Sequence, residues 1–278
     1  MRRASVFRKA LRDMRWQVFW YGLGFALMAM LVVYIYPSYR GQLANFEMPE
    51  AFQALLGESA DYSSPEGFVS GEIFSWLPVL LVVFAIMQGT NLLGGEEASG
   101  TIDVLMAQPI TRSRLLLQKM AAFVVGAAGI VVLTGAAWFV SVPFVDIDIS
   151  YGKLLLATAN MLPLAIMFGA LSMWLSVALT GRQAASGIAT AVAVAAFVLN
   201  YLATLVDVLK PIRWVSPFFY ANTTNVLTSG ADWAKVAVLL GLSIVFVVLA
   251  LRAFERRDLG VQSAVPLMAR LRWRSAAS

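Results

Sequence analysis

The charged side chains that stand between the apolar runs of this sequence gather in one short stretch, and that is where its chemistry concentrates. The stretch is Gly94–Lys119, GGEEASGTIDVLMAQPITRSRLLLQK, and it carries Glu96, Glu97, Asp103, Arg112, Arg114 and Lys119. Ile102, Leu105 and Met106 recur at i, i+3 and i+4, giving one apolar stripe on a short amphipathic helix that Ser99 or Thr101 can cap. Pro109 cannot continue that helix and pushes Gln108 out of the α region, so the chain turns there. Thr111 or Ser113 can then cap the helix that follows. A stubby helix with charged shoulders, set between two membrane spans, reads as a docking element.

What the chain lacks narrows its function further. There is no histidine, which removes imidazole acid–base catalysis, a Ser-His-Asp arrangement and the usual zinc sites. There is no cysteine, so a disulfide framework and a thiolate metal site are both excluded. No G-x-x-x-x-G-K-[ST] occurs, so the chain has no P-loop of its own. No catalytic residue and no metal site is assigned. The interiors of the expected spans hold no Asp, Glu, Lys or Arg, whereas ion-coupled carriers place such groups at mid-membrane. Energy must therefore reach this chain at its cytoplasmic surface.

Neutral polar groups remain in or near the spans. Gln88, Asn91, Thr190 and Asn200 are the candidates to line a substrate path, with Thr90, Asn160, Ser172 and Ser176 nearby in sequence. The alternative for all of them is ordinary interhelical hydrogen bonding, worth about 0.6 kcal/mol each in lipid. Met28, Met30, Met87, Met161, Met167 and Met173 either soften an apolar cavity or simply pack.

The elements that must position these groups follow from composition. Of the 278 residues, 60% are hydrophobic and 13% charged, where soluble domains have about 25% charged residues. This is the composition of an all-α integral membrane protein. Residues 1–16 form a basic segment with Phe7, Leu11 and Met14 on one helical face; it is either an interfacial amphipathic helix or a plain positive flank. The first span is expected at 17–36, ended by Pro37, and an acidic outer segment covers 37–72. That segment is either a cation site or a solvated cap. Within it Ser63-Ser64-Pro65-Glu66-Gly67 is a turn or a helix cap. Further spans are expected at about 73–93, 117–140, 154–179, 184–206 and 233–254, with a coupling region at 94–116 and a basic tail at 255–278. Pro163 should kink the fourth span, and Gly187, Ala191 and Ala195 should form a packing ladder on the fifth.

Six spans bring both termini to one side. The terminal segments, the Gly94–Lys119 stretch and the Arg182 return hold 16 of the 21 lysines and arginines, which places them in the cytoplasm. The net charge of +5 thus reflects topology, and no nucleic-acid partner is expected.

The central stretch resembles the ABC type 2 transporter permeases, six-span subunits of ATP-driven bacterial and archaeal exporters. The family pattern is an acidic pair, Gly-Thr, an aliphatic-acidic helix, a proline, a Ser/Thr-Arg step and a lysine. Here it reads Glu96-Glu97, Gly100-Thr101, Ile102-Asp103-Val104-Leu105, Pro109, Thr111-Arg112 and Lys119, with Asp103 where Glu is commoner. Leu56-Gly57, Ser64-Pro65-Glu66-Gly67 and Ser216-Pro217-Phe218 extend the likeness along nearly the whole chain. The resemblance implies a coupling helix, with Met106 beside Leu105, seated in a groove of a separate ATPase subunit. It also implies a second permease copy or paralogue, outward transport, and ATP with Mg on the ATPase while this chain binds no cofactor. Similar subfamilies export antibiotics, sodium or polyketides, or serve assembly of a copper enzyme. Two functions compete: a permease for drug, antibiotic or lipid-like efflux across the plasma membrane, and a membrane anchor or assembly subunit for an ATPase.

Overall fold

The computed structural model describes residues 6–43, 64–98, 111–145, 147–179 and 181–256. Among them every regular element is helical, and six helical stretches are long and apolar enough to cross a membrane.

The first crossing, α1 (Val6–Leu43), is one unbroken helix with Pro37 inside it. Pro37 therefore does not end the span. It removes one i→i−4 hydrogen bond, but in lipid a helix is the state that satisfies the remaining backbone groups, so the helix continues. Nor is the basic segment a separate element from Val6 onward; it forms the first turns of the spanning helix, with Val6 and Met14 buried.

Ser64 Oγ accepts a hydrogen bond from Gly67 N at 3.1 Å, and Pro65 occupies the first turn, so the Ser-Pro-Glu-Gly sequence is a helix cap. It starts α2 (Pro65–Val69), which runs through a π turn (Ser70–Phe74) towards α3 (Leu77–Ala98). This cap opens the second crossing well before its most apolar run. Glu72 consequently lies inside the crossing, half-buried near its start, against the expectation that no ionisable group would.

Thr111, rather than Ser113, caps α4 (Arg112–Ser141), accepting from Arg114 N at 3.4 Å. Met14 and Val18 of α1 lie over Gly126 and Gly129 of α4, where side chains larger than hydrogen would keep the helices apart. The fourth crossing is divided into α5 (Tyr151–Ala159) and α6 (Leu162–Ala178). The break falls just before Pro163, as a proline there demands. Asn160 Nδ2 donates across it to the Ala221 carbonyl at 2.7 Å. Gly181, at φ 105°, adopts a backbone that side chains disfavour and turns the chain into α7 (Arg182–Leu205). A 3₁₀ segment (Asp207–Val215) and two short helices, α8 (Pro217–Ala221) and α9 (Val226–Ser229), precede the last crossing, α10 (Trp233–Arg256).

The core sits around α6, which packs between α3 and α10 and also touches α4 and α7; α1 lies outside, along α4. Leu164, Phe168, Gly169, Ser172, Met173 and Ser176 are all buried, so α6 is enclosed on nearly every side. The approach to α3 is closest at Gly89, where a Cβ would stand 2.5 Å from the Gly169 carbonyl oxygen.

On α7 the expected ladder faces away from the rest of this chain. Gly187, Ala191 and Ala195 are exposed, and the buried small residues are Ala185, Ala189, Ala193 and Ala196. Two ladders of the same spacing offset by two residues lie on opposite sides of a helix with 3.6 residues per turn. Spacing alone does not say which one is turned inward.

Candidate functional site

The bundle has two chemically different ends. At one, the start of α1, the end of α3, the start of α4 and the end of α10 meet. There the buried Lys119 on α4 donates from Nζ to the Leu92 carbonyl near the end of α3. Arg112 in the first turn of α4 donates from Nη1 to the Phe254 carbonyl on α10 at 3.2 Å, its guanidinium 5.9 Å from that ring. Phe7 N of α1 donates to Gln118 Oε1 at 3.4 Å. The Arg112 guanidinium thus sits on a carbonyl in the last turn of α10, where the helix dipole favours positive charge. The first turns of α4 tie α1, α3 and α10 into one rigid end.

This end frames the docking stretch. Glu96 and Glu97 belong to the last turn of α3, so they stand at a helix C-terminus. At that position the helix dipole disfavours negative charge. Gly100, Thr101, Ile102, Asp103, Leu105, Met106 and Pro109, together with the Ser99 cap, lie outside the described residues. Arg112, expected in the docking set, reaches α10 instead of standing apart.

The opposite end is joined by neutral groups and by an ion pair between Lys153 and Glu66. Thr223 Oγ1 donates to the Phe74 carbonyl at 2.8 Å, and Trp138 Nε1 donates to Thr158 Oγ1 at 2.9 Å. Lys153 pairs with Glu66 at 3.5 Å.

Between the ends a cavity of about 300 Å³ opens between α3 and α7. Val83, Ile86, Met87, Val194 and Phe197 make its apolar walls, and Thr190 and Ser186 add hydroxyls towards Arg182 at one rim. Such a volume accommodates a small apolar molecule, and the rim suits a polar or anionic end group. Of the neutral polar groups singled out in the sequence, Thr190 and Thr90 line it. Gln88 is buried elsewhere, donating from Nε2 to Gln17 Oε1 on α1, and Asn91 is half-buried away from the cavity. Asn200 Oδ1 accepts from Arg213 Nε at 3.3 Å in a separate polar pocket. The path candidates are therefore not brought together. Ser186 and Arg182 join the cavity lining without having been singled out for it. Their four-residue spacing with Thr190, one α-helical turn repeated, is the signal that would have found them.

Described residues that are all helical in their regular elements, with six crossings, a tied end beside the Gly94–Lys119 stretch and an apolar cavity between two spans, define a multi-pass membrane protein. Residues 4–259 match the family described as ABC-2 family transporter protein, and the chain belongs to that family. It is accordingly a membrane permease subunit of an ABC transporter. No curated protein matches the sequence.

Proposed function

We propose that this permease exports a drug-like, antibiotic or lipid-like molecule, driven by ATP that a separate ABC ATPase subunit hydrolyses. The observation that carries the reading is the lysine tie between α4 and α3. Lys119 holds the two helices that bracket the docking stretch, so force applied there reaches the wall of the α3–α7 cavity directly. The apolar walls with a hydroxyl-bearing, cationic rim support an amphiphilic substrate. The acidic pair in the last turn of α3 supports docking against a cationic groove, because a partner's cations offset the unfavourable dipole there. In this reading Leu105 and Met106 insert into the ATPase, and Gly100, Thr101, Ile102, Asp103, Pro109 and Arg112 shape the turn that presents them. ATP and Mg stay on the ATPase, and this chain binds no cofactor or metal and catalyses nothing itself. A second permease copy or paralogue completes the path beside α3 and α7, and both termini face the cytoplasm across the plasma membrane.

The test is Leu105→Ala with Met106→Ala, co-expressed with an ABC ATPase subunit that the unaltered permease retains on purification. Truncating apolar anchors in a desolvated interface costs about 2 kcal/mol or more, roughly thirtyfold in affinity. The variant should insert and fold but lose the ATPase on purification, while Glu96→Ala should loosen it by a smaller factor. Retention of the ATPase with wild-type coupling by the double variant rules the docking assignment out.

A further inference from the structure

The polar pocket that holds Asn200 and Arg213 lies next to the α3–α7 cavity. Phe197 and Phe218 line both spaces, their rings edge to face at 5.4 Å, so the apolar space ends where the polar one begins. The π turn and the start of α3 bound the pocket on one side, and α8 and the 3₁₀ turn Thr223–Asn225 on another. Its volume is about 60 Å³.

Two of its polar atoms find no partner among the described residues. Ser75 is 9% exposed, and its Oγ meets no hydrogen-bonding group. Buried hydroxyls elsewhere in the bundle behave otherwise. Those of Thr134, Ser141, Thr158, Ser172 and Ser243 each donate to the carbonyl four residues back. For Ser75 that carbonyl belongs to Gly71, inside the π turn Ser70–Phe74, where bonds run five residues back and the register is lost. The adjoining Phe74 carbonyl already accepts from Thr223 Oγ1. On the loop side, Asn225 Nδ2 donates to Asn222 Oδ1 at 2.8 Å, which leaves the buried Asn225 Oδ1 unpaired. Buried polar atoms are nearly always paired, so two open ones on one small pocket call for a ligand.

The chemistry of that ligand follows from what each atom needs. Asn225 Oδ1 only accepts, so the ligand must donate to it, whereas the Ser75 hydroxyl can do either. An anion offers no donor. Arg213, the charged side chain of the lining, is moreover engaged by Asn200 Oδ1 and by the Phe219 ring 5.5 Å away. A hard metal cation would want carboxylates, and the described lining residues offer this arginine instead. A hydroxyl group both donates and accepts. At about 30 Å³ for each water-sized group, the pocket has room for two of them. That is the size of a vicinal diol rather than of a whole sugar ring.

We propose that this pocket binds the vicinal diol end of a glycerol-type molecule, either a free polyol or the head of an amphiphile such as a monoacylglycerol. Ser75 and Asn225 hydrogen-bond its two hydroxyls, and the neighbouring phenylalanine rings cover its carbons. The assignment concerns binding by the permease alone and stands whether or not this molecule is the one exported.

Because the chain has no cysteine, Thr224→Cys puts a single thiol on the pocket wall. The full chain would be reconstituted in nanodiscs of phosphatidylcholine, a lipid without hydroxyls, and its modification by a small water-soluble methanethiosulfonate followed. Monooleoylglycerol should slow that modification, and its dimethyl ether, which keeps the shape but has no donor, should not. Glycerol separates the sources: protection by glycerol makes the ligand a free polyol, and protection by monooleoylglycerol alone makes it an amphiphile head. Equal protection by the ether overturns the proposal in favour of apolar occlusion. Stronger protection by oleoyl phosphate overturns it in favour of an anion site, and no protection by either diol overturns it outright. A second measurement dispenses with the thiol. Radiolabelled monooleoylglycerol and glycerol would be titrated onto the unaltered chain, and the better ligand should bind about tenfold more weakly to Ser75→Ala and to Asn225→Leu, the loss of one hydrogen bond. Unchanged affinity in the folded variants overturns the proposal. The two residues stand on separate elements, so a variant that fails to fold leaves the other to decide.

Discussion

Two crossings adjacent in the chain, Tyr151–Ala178 and Arg182–Leu205, have nearly the same mean hydropathy, 1.9 and 2.0, yet 67% of the apolar stretch is buried in the first and 17% in the second. Hydropathy therefore does not decide which helix becomes the core. Lipid is as apolar as leucine, so burying one more leucine gains little. What distinguishes α6 is not how many small and hydroxyl-bearing residues it has, since α7 has more, but the neighbours they meet. Gly169 leaves room for the Phe123 ring of α4 and sets its carbonyl against Gly89 of α3, Ser176 Oγ donates to the Thr90 carbonyl at 3.2 Å, and Asn160 joins the break before α6 to α8. Outside its alanine ladder, α7 presents Ile188, Val192, Val194 and Val198 outward. The first crossing is a fixed centre, and the second is a surface against which lipid, substrate or a second copy can move.

Substitutions at matched glycines should break or sharpen that contrast. Gly89→Val places methyl groups where the Gly169 carbonyl and Ser172 Cβ already stand, and a cost of about 3 kcal/mol is expected for such overpacking. Thermal unfolding of the detergent-purified permease should show a clear fall in Tm. An unchanged Tm would mean that α3 and α6 are not in close register. Asn160→Leu removes the bond to the Ala221 carbonyl, and leaving that buried acceptor unpaired should cost about 2 kcal/mol by the same measurement.

On α7 the expectation reverses. Nothing lies within 4 Å of a Cβ at Gly187, so Gly187→Ala should be neutral or stabilise by about 0.5 kcal/mol through helix propensity. A large loss would show that this face is covered by a closely packed partner in the purified state. The smallest effect belongs to the exposed Asp207–Lys210 pair. The Lys210 hydrogen bond and charge hold the Asp207 carboxyl below its ordinary range. Its contribution is therefore present above the ordinary carboxylate pKa and lost as pH falls through the lowered value. Lys210→Ala should weaken that acid dependence without a resolvable change in Tm at neutral pH.

The six crossings and the all-helical class were legible because apolar runs of spanning length have few other solutions. The Gly94–Lys119 pattern likewise carried the family. Details that depend on neighbours were not legible. Pro37 reads as a helix end in isolation, yet α1 passes through it. The second crossing begins at a polar cap rather than at its apolar run, which brought Glu72 inside. Gly187, Ala191 and Ala195 have the right spacing for packing, but so do Ala185, Ala189 and Ala193, and both faces of α7 are apolar enough to face either way. The polar residues fared similarly. Thr190 reached the cavity, whereas Gln88 and Asn200 were taken up by Gln17 and Arg213, partners distant in sequence or held by a fold-back.

The transport reading proposed above requires α7 to move against the fixed pair of α3 and α6 around the cavity. It is tested most directly by Met87→Cys with Val194→Cys, which places one thiol on each wall. The double variant would be reconstituted with the ATPase and bridged by a reducible bifunctional thiol reagent. The account predicts that bridging leaves the ATPase bound, stops transport-linked ATP hydrolysis, and is reversed on reduction. Full hydrolysis and transport by the bridged permease would contradict it.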